Sequence, residues 1–552
     1  MILLKILILL FLSLFSFSGQ TTTTVYGAVQ SMLTSNQDEV DYIVLGAGTA
    51  GSIMASKLSE DPNIKVLLVE RGEWDSDPYI YNTSDWYDHW FVHRNPLYSH
   101  DYVGQPEPNL NNARPSNIVG TMVGGCSGHN GMLANSGSAK FDWEKWGEET
   151  NAKENWSGDV AKGLLQEFLA DIPLVFQDRD RTWLPEIGQA IEKSLGFQWN
   201  RQEFVNLDQT GYSTKQHWFT PQQWKRITTY SQMIKDNGAL NRPNLHVVVN
   251  QRATKMEYES LADTASGTGF KVTGVWIQNT QTRQSVLVKV RKEVILSMGA
   301  IESPKFLQLN GIGERGHLSS LGITTVVDSP GVGMNYQDHS SIMFFGRPLV
   351  DSLKKIAVPK RGPVQDGYSI FGPLDAAATS GNSYTMNVDI DNSAFFCYVE
   401  ANRPKSRGHV KITSTDPYAD PDVYANFFDH PQDLEDMIKG LTDCFTLQEE
   451  LTNMGILDAH GASLPLGLNS SREAYINYIK QAASTDHHLT SSVKMGAKDD
   501  RMSPLDGNLL VKGVSNIRVV DASVLPSVPS ANTAVPASLV ALQAFKIIKS
   551  QN

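Results

Sequence analysis

Residues 41–70 constrain this chain more than any other stretch. Asp41-Tyr42-Ile43-Val44-Leu45 has the apolar character of a buried strand and runs into Gly46-Ala47-Gly48-Thr49-Ala50-Gly51. A helical spacing of Ile53, Met54, Lys57 and Leu58 follows, and a second run, Lys65-Val66-Leu67-Leu68-Val69, ends on Glu70. This order predicts a βαβ unit. Its first glycine makes the tight turn, its second lets backbone approach a pyrophosphate, and its third packs helix on strand. The helix start presents unpaired N–H groups and positive potential to phosphates. Glu70 stands about twenty residues beyond the last glycine, where a carboxylate accepts hydrogen bonds from an adenosine ribose. A glycine pattern alone is a weak signal. With both strands, the helix and the acid, it predicts dinucleotide binding by Gly46, Gly48, Thr49, Ala50, Gly51 and Glu70.

The 552 residues can bury a large core and suggest about two to four domains. A net charge of −12 argues against nucleic acid or an anionic membrane as partner. Ahead of the first strand, residues 1–5 carry one positive charge, residues 6–17 are almost wholly apolar, and Ser16, Ser18 and Gly19 are small. That run is too short for a bilayer span and reads as a secretory signal peptide over residues 1–19, so the mature chain is expected outside the cell. No other stretch is long and apolar enough to cross a membrane. The sequons at Asn82, Asn155 and Asn469 then become candidate glycosylation sites. Cys126, Cys397 and Cys444 allow one disulfide at most and leave an odd thiol. Residues 74–108 are crowded with aromatics (Trp74, Tyr79, Tyr81, Trp86, Tyr87, Trp90, Phe91) and read either as a lid over the cofactor or as plain surface packing. Further strands at 245–249, 293–296 and 516–521 imply one discontinuous cofactor domain with another domain inserted in it.

Gly120-Thr121-Met122-Val123-Gly124-Gly125-Cys126-Ser127-Gly128-His129-Asn130-Gly131-Met132, followed by Phe141-Asp142-Trp143, resembles the first signature of the glucose-methanol-choline (GMC) oxidoreductases. Residues 299–313 (Gly299-Ala300-Ile301-Glu302-Ser303-Pro304 onward) resemble the second, with Asn310 where serine is usual. Residues 330–339, ending Gln337-Asp338-His339, and Pro404-Lys405-Ser406-Arg407-Gly408 are similar to further landmarks, in the family's order. The resemblance covers nearly the whole mature chain and implies bound FAD. It implies flavin and pyrophosphate contacts from Gly120, Val123, Gly124, Ser127, His129, Asn130, Gly131 and Met132. It also implies contacts from Ala253, Asp521, Ala522, Asn532 and Thr533. Glycines at 120, 124 and 125 would let backbone lie against the flat ring. Ala253 stands where a larger β-branched residue often packs on adenine. His129 replaces the usual apolar residue. Its segment is similar to that of members whose flavin is bonded to a histidine ring nitrogen, which implies FAD attached covalently through His129; the plain alternative is a histidine that only hydrogen-bonds or fills space.

Thr485-Asp486-His487-His488-Leu489-Thr490-Ser491 resembles the family's catalytic His-Pro-Val-Gly-Thr run, with His488 in the catalytic place, Leu489 for the proline and Ser491 for the glycine. Residues 520–533 match another landmark and place Asn532 where the family has His or Asn. An alcohol donates hydride far better once its hydroxyl proton is gone, and histidine is a suitable base near neutral pH. Asn532 would hold the same oxygen by a neutral hydrogen bond. The adjacent His487 is expected to be a neighbour in the fold. A His-His pair can also signal metal, but no Cys, Asp or Glu cluster of ligand spacing accompanies this one, so no metal is expected. After Asn532, the spacing of Val535, Leu539, Leu542 and Phe545, with Pro536 in the first turn, predicts a terminal helix whose start lies beside the flavin.

The expected architecture is an α/β, Rossmann-like FAD-binding domain over residues 38–165, 222–335 and 484–552. It is interleaved with an α+β substrate domain, built on an antiparallel sheet, over residues 166–221 and 336–483. The expected activity is that of a secreted oxidase of a small alcohol, with molecular oxygen reoxidising the flavin to give peroxide. Ready oxygen outside the cell favours an oxidase over a dehydrogenase using another electron acceptor. A hydroxynitrile lyase and a catalytically silent glycoprotein are rival readings; the intact glycine motifs, Glu70, His488 and Asn532 weigh against the silent one. Aromatic crowding at 74–103 leans toward an apolar or aromatic alcohol or cyanohydrin as substrate.

Overall fold

The computed structural model describes residues 39–551 apart from 82–91, 173–174, 177–184, 202, 219–224, 265–266, 348, 350–366, 374–380, 391–394 and 459–465. The segment expected to be a signal peptide, the sequon at Asn82 and the aromatics at 86–91 therefore lie outside the described residues.

Five parallel strands form one sheet in the spatial order Leu245–Val248, Val66–Val69, Glu39–Leu45, Ser285–Leu296 and Ile517–Val519. In the central strand every residue from Val40 to Leu45 is buried, as expected where helices cover both faces of a parallel sheet. This is why it reads as a run and not as an alternation. Antiparallel strands Gln251–Thr264 and Gly267–Asn279 feed the start of Ser285–Leu296, whose far end joins the parallel set. The helices Thr49–Leu58 and Ala534–Gln551 pack on each other, with Val535, Leu539 and Leu542 buried as their spacing predicts. One sheet is thus assembled from segments some 480 residues apart (39 to 519), as a discontinuous cofactor domain requires.

A second, wholly antiparallel sheet runs Ser484–Thr485, Ser340–Gly346, Phe395–Ala401, Asn382–Ile390, Gly367–Pro373, Gly211–Thr214. The long helix Pro431–Asn453 covers it, and the Cys397–Cys444 disulfide ties the two together, leaving Cys126 as the odd thiol. The pair Ser484–Thr485 belongs to this sheet, although residue 484 was expected to open the last cofactor segment. The strand Ser340–Gly346 alternates: Ile342 and Phe344 enter the core, whereas Met343 and Phe345 stay 46% and 44% exposed on the other face.

Among the described residues of the aromatic stretch, Trp74 packs on the main core, and Tyr81 and Tyr98 pack on a small cluster of Ile80, Val92 and Met122. Local packing, not a ring-lined lid, is what they build. Of the two sequons within the described residues, Asn469 is exposed. Asn155 does not fit the expectation: its side-chain amide donates to the Gly507 carbonyl and to Asn508 Oδ1, so the nitrogen a glycan needs is turned inward.

Candidate active site

At the N-terminal end of the first sheet's central crossover, the glycines do what their spacing predicts. Gly46 sits at φ +98°, and a Cβ on Gly51 would come 1.9 Å from the Gly46 carbonyl oxygen. The helix Thr49–Leu58 begins at Gly48 with no side-chain cap, so its first N–H groups stay open toward a cavity of about 760 Å³. Across the turn, a Cβ on Gly125 would meet the Gly48 Cα at 2.8 Å, so two glycine segments close on each other to form the cleft. Glu70 lines the same cavity. Its carboxylate accepts from the N–H groups of Ala47 and Gly72, each at 2.9 Å, and so also staples the turn together.

Most of the anticipated contacts line this one cavity: Gly46, Gly48, Thr49, Ala50, Glu70, Gly120, Ser127, His129, Asn130, Gly131, Met132, Ala253, Asp521, Ala522, Asn532 and Thr533. Three do not line it. Gly51 acts by packing, Gly124 sits at φ +93° against Thr228, and the Val123 side chain is buried in the main core. In that glycine-rich run, His129 and Asn130 reach the cavity while the Val123 side chain turns into the core. The loop carrying His129 is held by buried Arg226, which donates to the carbonyls of Ser127 and Asn130 at 3.2 and 2.8 Å. His129 itself is buried, with its Nδ1 2.9 Å from His93 Nδ1. Asp521 accepts from Gly299 N–H and the Ser303 hydroxyl, locking the second signature to the C-terminal strand. An open helix start, glycine contacts too close for a Cβ and the Glu70 carboxylate on the same cavity together fit FAD.

At the far end of the cavity, His488 and Asn532 meet, with Asn532 Nδ2 2.9 Å from His488 Nε2. Each is held from behind. The His488 backbone N–H donates to Asp338 Oδ1 at 2.8 Å, while Gln337 and Thr490 pair their backbones. The landmark ending Gln337-Asp338-His339 is therefore the clamp on the catalytic loop. Asn135 donates to Asn532 Oδ1 at 2.8 Å and turns the amide nitrogen toward His488. Asp142, fully buried, accepts from the Ser530 N–H and hydroxyl and pairs with Arg403 at 2.7 Å, which gives the Phe141-Asp142-Trp143 segment its role.

The hydrogen bonds also assign the tautomer of His488. His339 Nε2 lies 3.1 Å from the Asn402 carbonyl, which can only accept, so the ring proton of His339 is on Nε2. Burial pushes the His339 pKa down to about 4, so the ring is neutral and its Nδ1 is a lone pair. His488 Nδ1, 2.9 Å away, must then be the donor. That leaves the lone pair of His488 on Nε2, facing Asn532 and the cavity. Asp486 Oδ2 and Glu400 Oε1 also approach His488 Nδ1, at 3.1 and 3.7 Å. Burial, helped by the His339 and His487 rings, holds the His488 pKa well below the usual histidine range. Burial, with Asp338 nearby, pushes Asp486 up, and it pushes Glu400 up to about 8. The close His488–Asp486 contact is thus a pairing of neutral groups at rest, because burial acts on acid and base with opposite sign.

Sequence reasoning did not reach Asn135, His339, Glu400 or Asp486 as members of the site. Asp486 and His339 stand inside recognised segments, but nothing in their spacing says which face they turn to. His487, at φ +59°, takes its ring away from this group and toward His93. The reason given for expecting no metal therefore fails: carboxylates do surround His488, drawn from a distant strand and from two residues upstream. Beyond His488 the cavity wall is apolar through Met343, Phe345 and Phe396, with Lys215 and Asn387 as polar members. Of the described residues in the aromatic stretch 74–103, only His93 reaches the cavity.

The fold and site define a flavoprotein oxidoreductase with a cofactor domain and a substrate domain. Family models described as GMC oxidoreductase match residues 40–341 and 404–541, and the chain belongs to that family of FAD-dependent oxidoreductases acting on alcohols. It is 29% identical over 543 residues to the oxygen-dependent choline dehydrogenase of Sinorhizobium fredii, covering 90% of this chain and 93% of that one. It is 29% identical to the oxygen-dependent choline dehydrogenase of Staphylococcus saprophyticus, with 93% and 95% covered. Among solved structures it is similar to formate oxidase from Aspergillus oryzae (TM-score 0.80, 21% identity, 94% of this chain and 99% of that chain). It is also similar to pyridoxine 4-oxidase from Mesorbium loti (TM-score 0.78, 22% identity, 93% and 100%).

Proposed function

We propose that this protein is a secreted oxidase of a small alcohol with an apolar or aromatic body, passing electrons to molecular oxygen. The observation that carries this reading is the His488 Nε2–Asn532 pair, set where the dinucleotide cleft opens onto Met343, Phe345 and Phe396. Bound FAD would supply the hydride acceptor. A substrate hydroxyl entering between the pair gives its proton to Nε2, and the Asn532 amide, fixed by Asn135, holds the oxygen in one orientation. The imidazolium so formed lies within reach of two carboxyl groups whose ionised forms would pair with it. The start of helix Ala534–Gln551 lines the cavity at Ala534 and Ala537, where its partial positive charge favours charge gained by the flavin.

Secretion is supported by the apolar leader at residues 6–17 and by a buried Cys397–Cys444 bridge, which suits an oxidising compartment. Covalent attachment through His129 is supported by the place of this buried ring on the cavity wall. Acid precipitation tests it: a yellow pellet that becomes colourless in His129→Ala supports the bond, and colour wholly in the supernatant removes it. For the activity, purified holoenzyme is assayed for peroxide release and for dye reduction over a panel including benzyl alcohol, short aliphatic alcohols and choline. Peroxide with benzyl alcohol is the expected result. Dye reduction without peroxide makes the enzyme a dehydrogenase, and anaerobic cleavage of mandelonitrile to benzaldehyde and hydrogen cyanide with no flavin bleaching makes it a lyase.

A further inference from the structure

Behind the catalytic imidazole, four side chains converge that the proton-transfer reading does not fully employ. His339 Nδ1, His488 Nδ1, one Asp486 oxygen and one Glu400 oxygen all lie within 4.8 Å of one another. The separations from His488 Nδ1 are 2.9, 3.1 and 3.7 Å. Four ligands at zinc-bond lengths around a tetrahedral ion stand roughly 3.4 Å apart, so small movements would bring this group to coordination distance. His339, His488 and Glu400 are buried, and Asp486 nearly so.

The group has a supporting shell as well. His339 directs its other ring nitrogen to the Asn402 carbonyl, the arrangement that orients a metal-bound imidazole. Asp486 receives the Tyr398 hydroxyl on its second oxygen, and Glu400 receives the Asn387 amide on its own at 3.4 Å. Three of the four residues line the cavity, which gives an ion a path in.

We propose that these four residues form an inhibitory site for a divalent transition-metal ion, best suited to Zn²⁺, on the Nδ1 side of the catalytic histidine. Two imidazoles and two carboxylates make a borderline donor set that favours Zn²⁺, Co²⁺ or Cu²⁺ over Mg²⁺ or Ca²⁺. The inhibition follows from proton placement and rests on the reading of Nε2 as the base. A neutral imidazole carries one ring proton. When a metal takes the Nδ1 lone pair, that proton must sit on Nε2, and the nitrogen facing the substrate becomes a donor. Any proton on Asp486 or Glu400 leaves to solvent as the carboxylate binds. The cofactor is untouched.

The test uses FAD-loaded enzyme and ZnCl₂, with CoCl₂ as the spectroscopic probe. Equilibrium dialysis should give one Zn²⁺ per flavin, and Co²⁺ should add visible bands of tetrahedral intensity. Turnover should fall with Zn²⁺ occupancy, recover with a chelator, and leave flavin content unchanged. Asp486→Asn and Glu400→Gln, each first shown to retain flavin and wild-type melting, should bind Zn²⁺ about tenfold or more weakly. Zn²⁺ sensitivity is then read against each variant's own metal-free rate. Absence of stoichiometric binding, or binding that both variants leave intact, overturns the site while the base assignment stands. Full Zn²⁺ occupancy with undiminished turnover overturns the inhibition, and with it the reading of Nε2 as base.

Discussion

The cofactor end of the cavity takes Gly46 to Glu70 from one continuous stretch, whereas the catalytic end draws His339, Glu400, Asp486, His488 and Asn532 from four distant segments. The first is a backbone device: a turn, an open helix start and a cleft in which two glycine segments approach too closely for a Cβ. The second is a side-chain device. Each group is positioned by a neighbour from elsewhere in the chain, and its protonation is set by burial. A backbone device depends on a few residues, its glycines and here the Glu70 carboxylate that staples the turn. A side-chain device depends on every partner being satisfied.

If the two ends are as separable as they look, variants at one should spare the other. His488→Ala should lower kcat by about two to four orders of magnitude, the usual contribution of a positioned base, while the visible flavin spectrum stays intact. Near-normal turnover would falsify the base assignment, and loss of flavin would mean the ends are not separable. Glu70→Ala should do the reverse: largely apo protein with a lowered melting temperature. A cofactor present at one hundred times its dissociation constant adds roughly 3 kcal/mol of stability, which this variant would forgo. Full flavin occupancy at unchanged melting would leave the carboxylate with only its backbone bonds to Ala47 and Gly72.

Smaller effects sharpen the comparison within the catalytic end. Asn532→Ala removes a hydrogen bond but not the proton acceptor, so kcat should fall only about fivefold, in line with roughly 1 kcal/mol for such a bond. A collapse as deep as that of His488→Ala would assign Asn532 a share in proton transfer. Asn135→Ala acts one step further back, by freeing the Asn532 amide to rotate, and should cost a few-fold at most. If Asn135→Ala proved more damaging than Asn532→Ala, the amide orientation would have to come from elsewhere.

The difference between the ends also explains how much could be read in advance. Residues 41–70 announce their structure because strand, turn and helix are local, and local periodicity is written in sequence order. The insertion was legible only as a gap, because strands of the cofactor sheet at 293–296 and 516–521 stand far apart in the chain. The resemblance to a family located His488 and Asn532 and marked residues 330–339 and 141–143 as landmarks. It could not say that the first clamps the catalytic loop through Asp338 or that the second anchors Ser530 through Asp142. Val123 was misplaced for a related reason: a motif names positions, but only the backbone path decides which side chains face the cleft.

The primary sequence therefore determined a dinucleotide fold and a flavin, and it singled out His488 and Asn532 as the pair proposed to handle the substrate hydroxyl. The tertiary structure alone decided which nitrogen of His488 carries the lone pair, because that depends on a carbonyl at Asn402 acting through His339. It alone decided that Met343, Phe345 and Phe396, and none of the described aromatics of residues 74–103, line the cavity beyond His488. It alone brought Glu400 and Asp486 behind the same imidazole. A tautomer, a cavity wall and a donor cluster are made by groups far apart along the chain, and no local rule of spacing relates them.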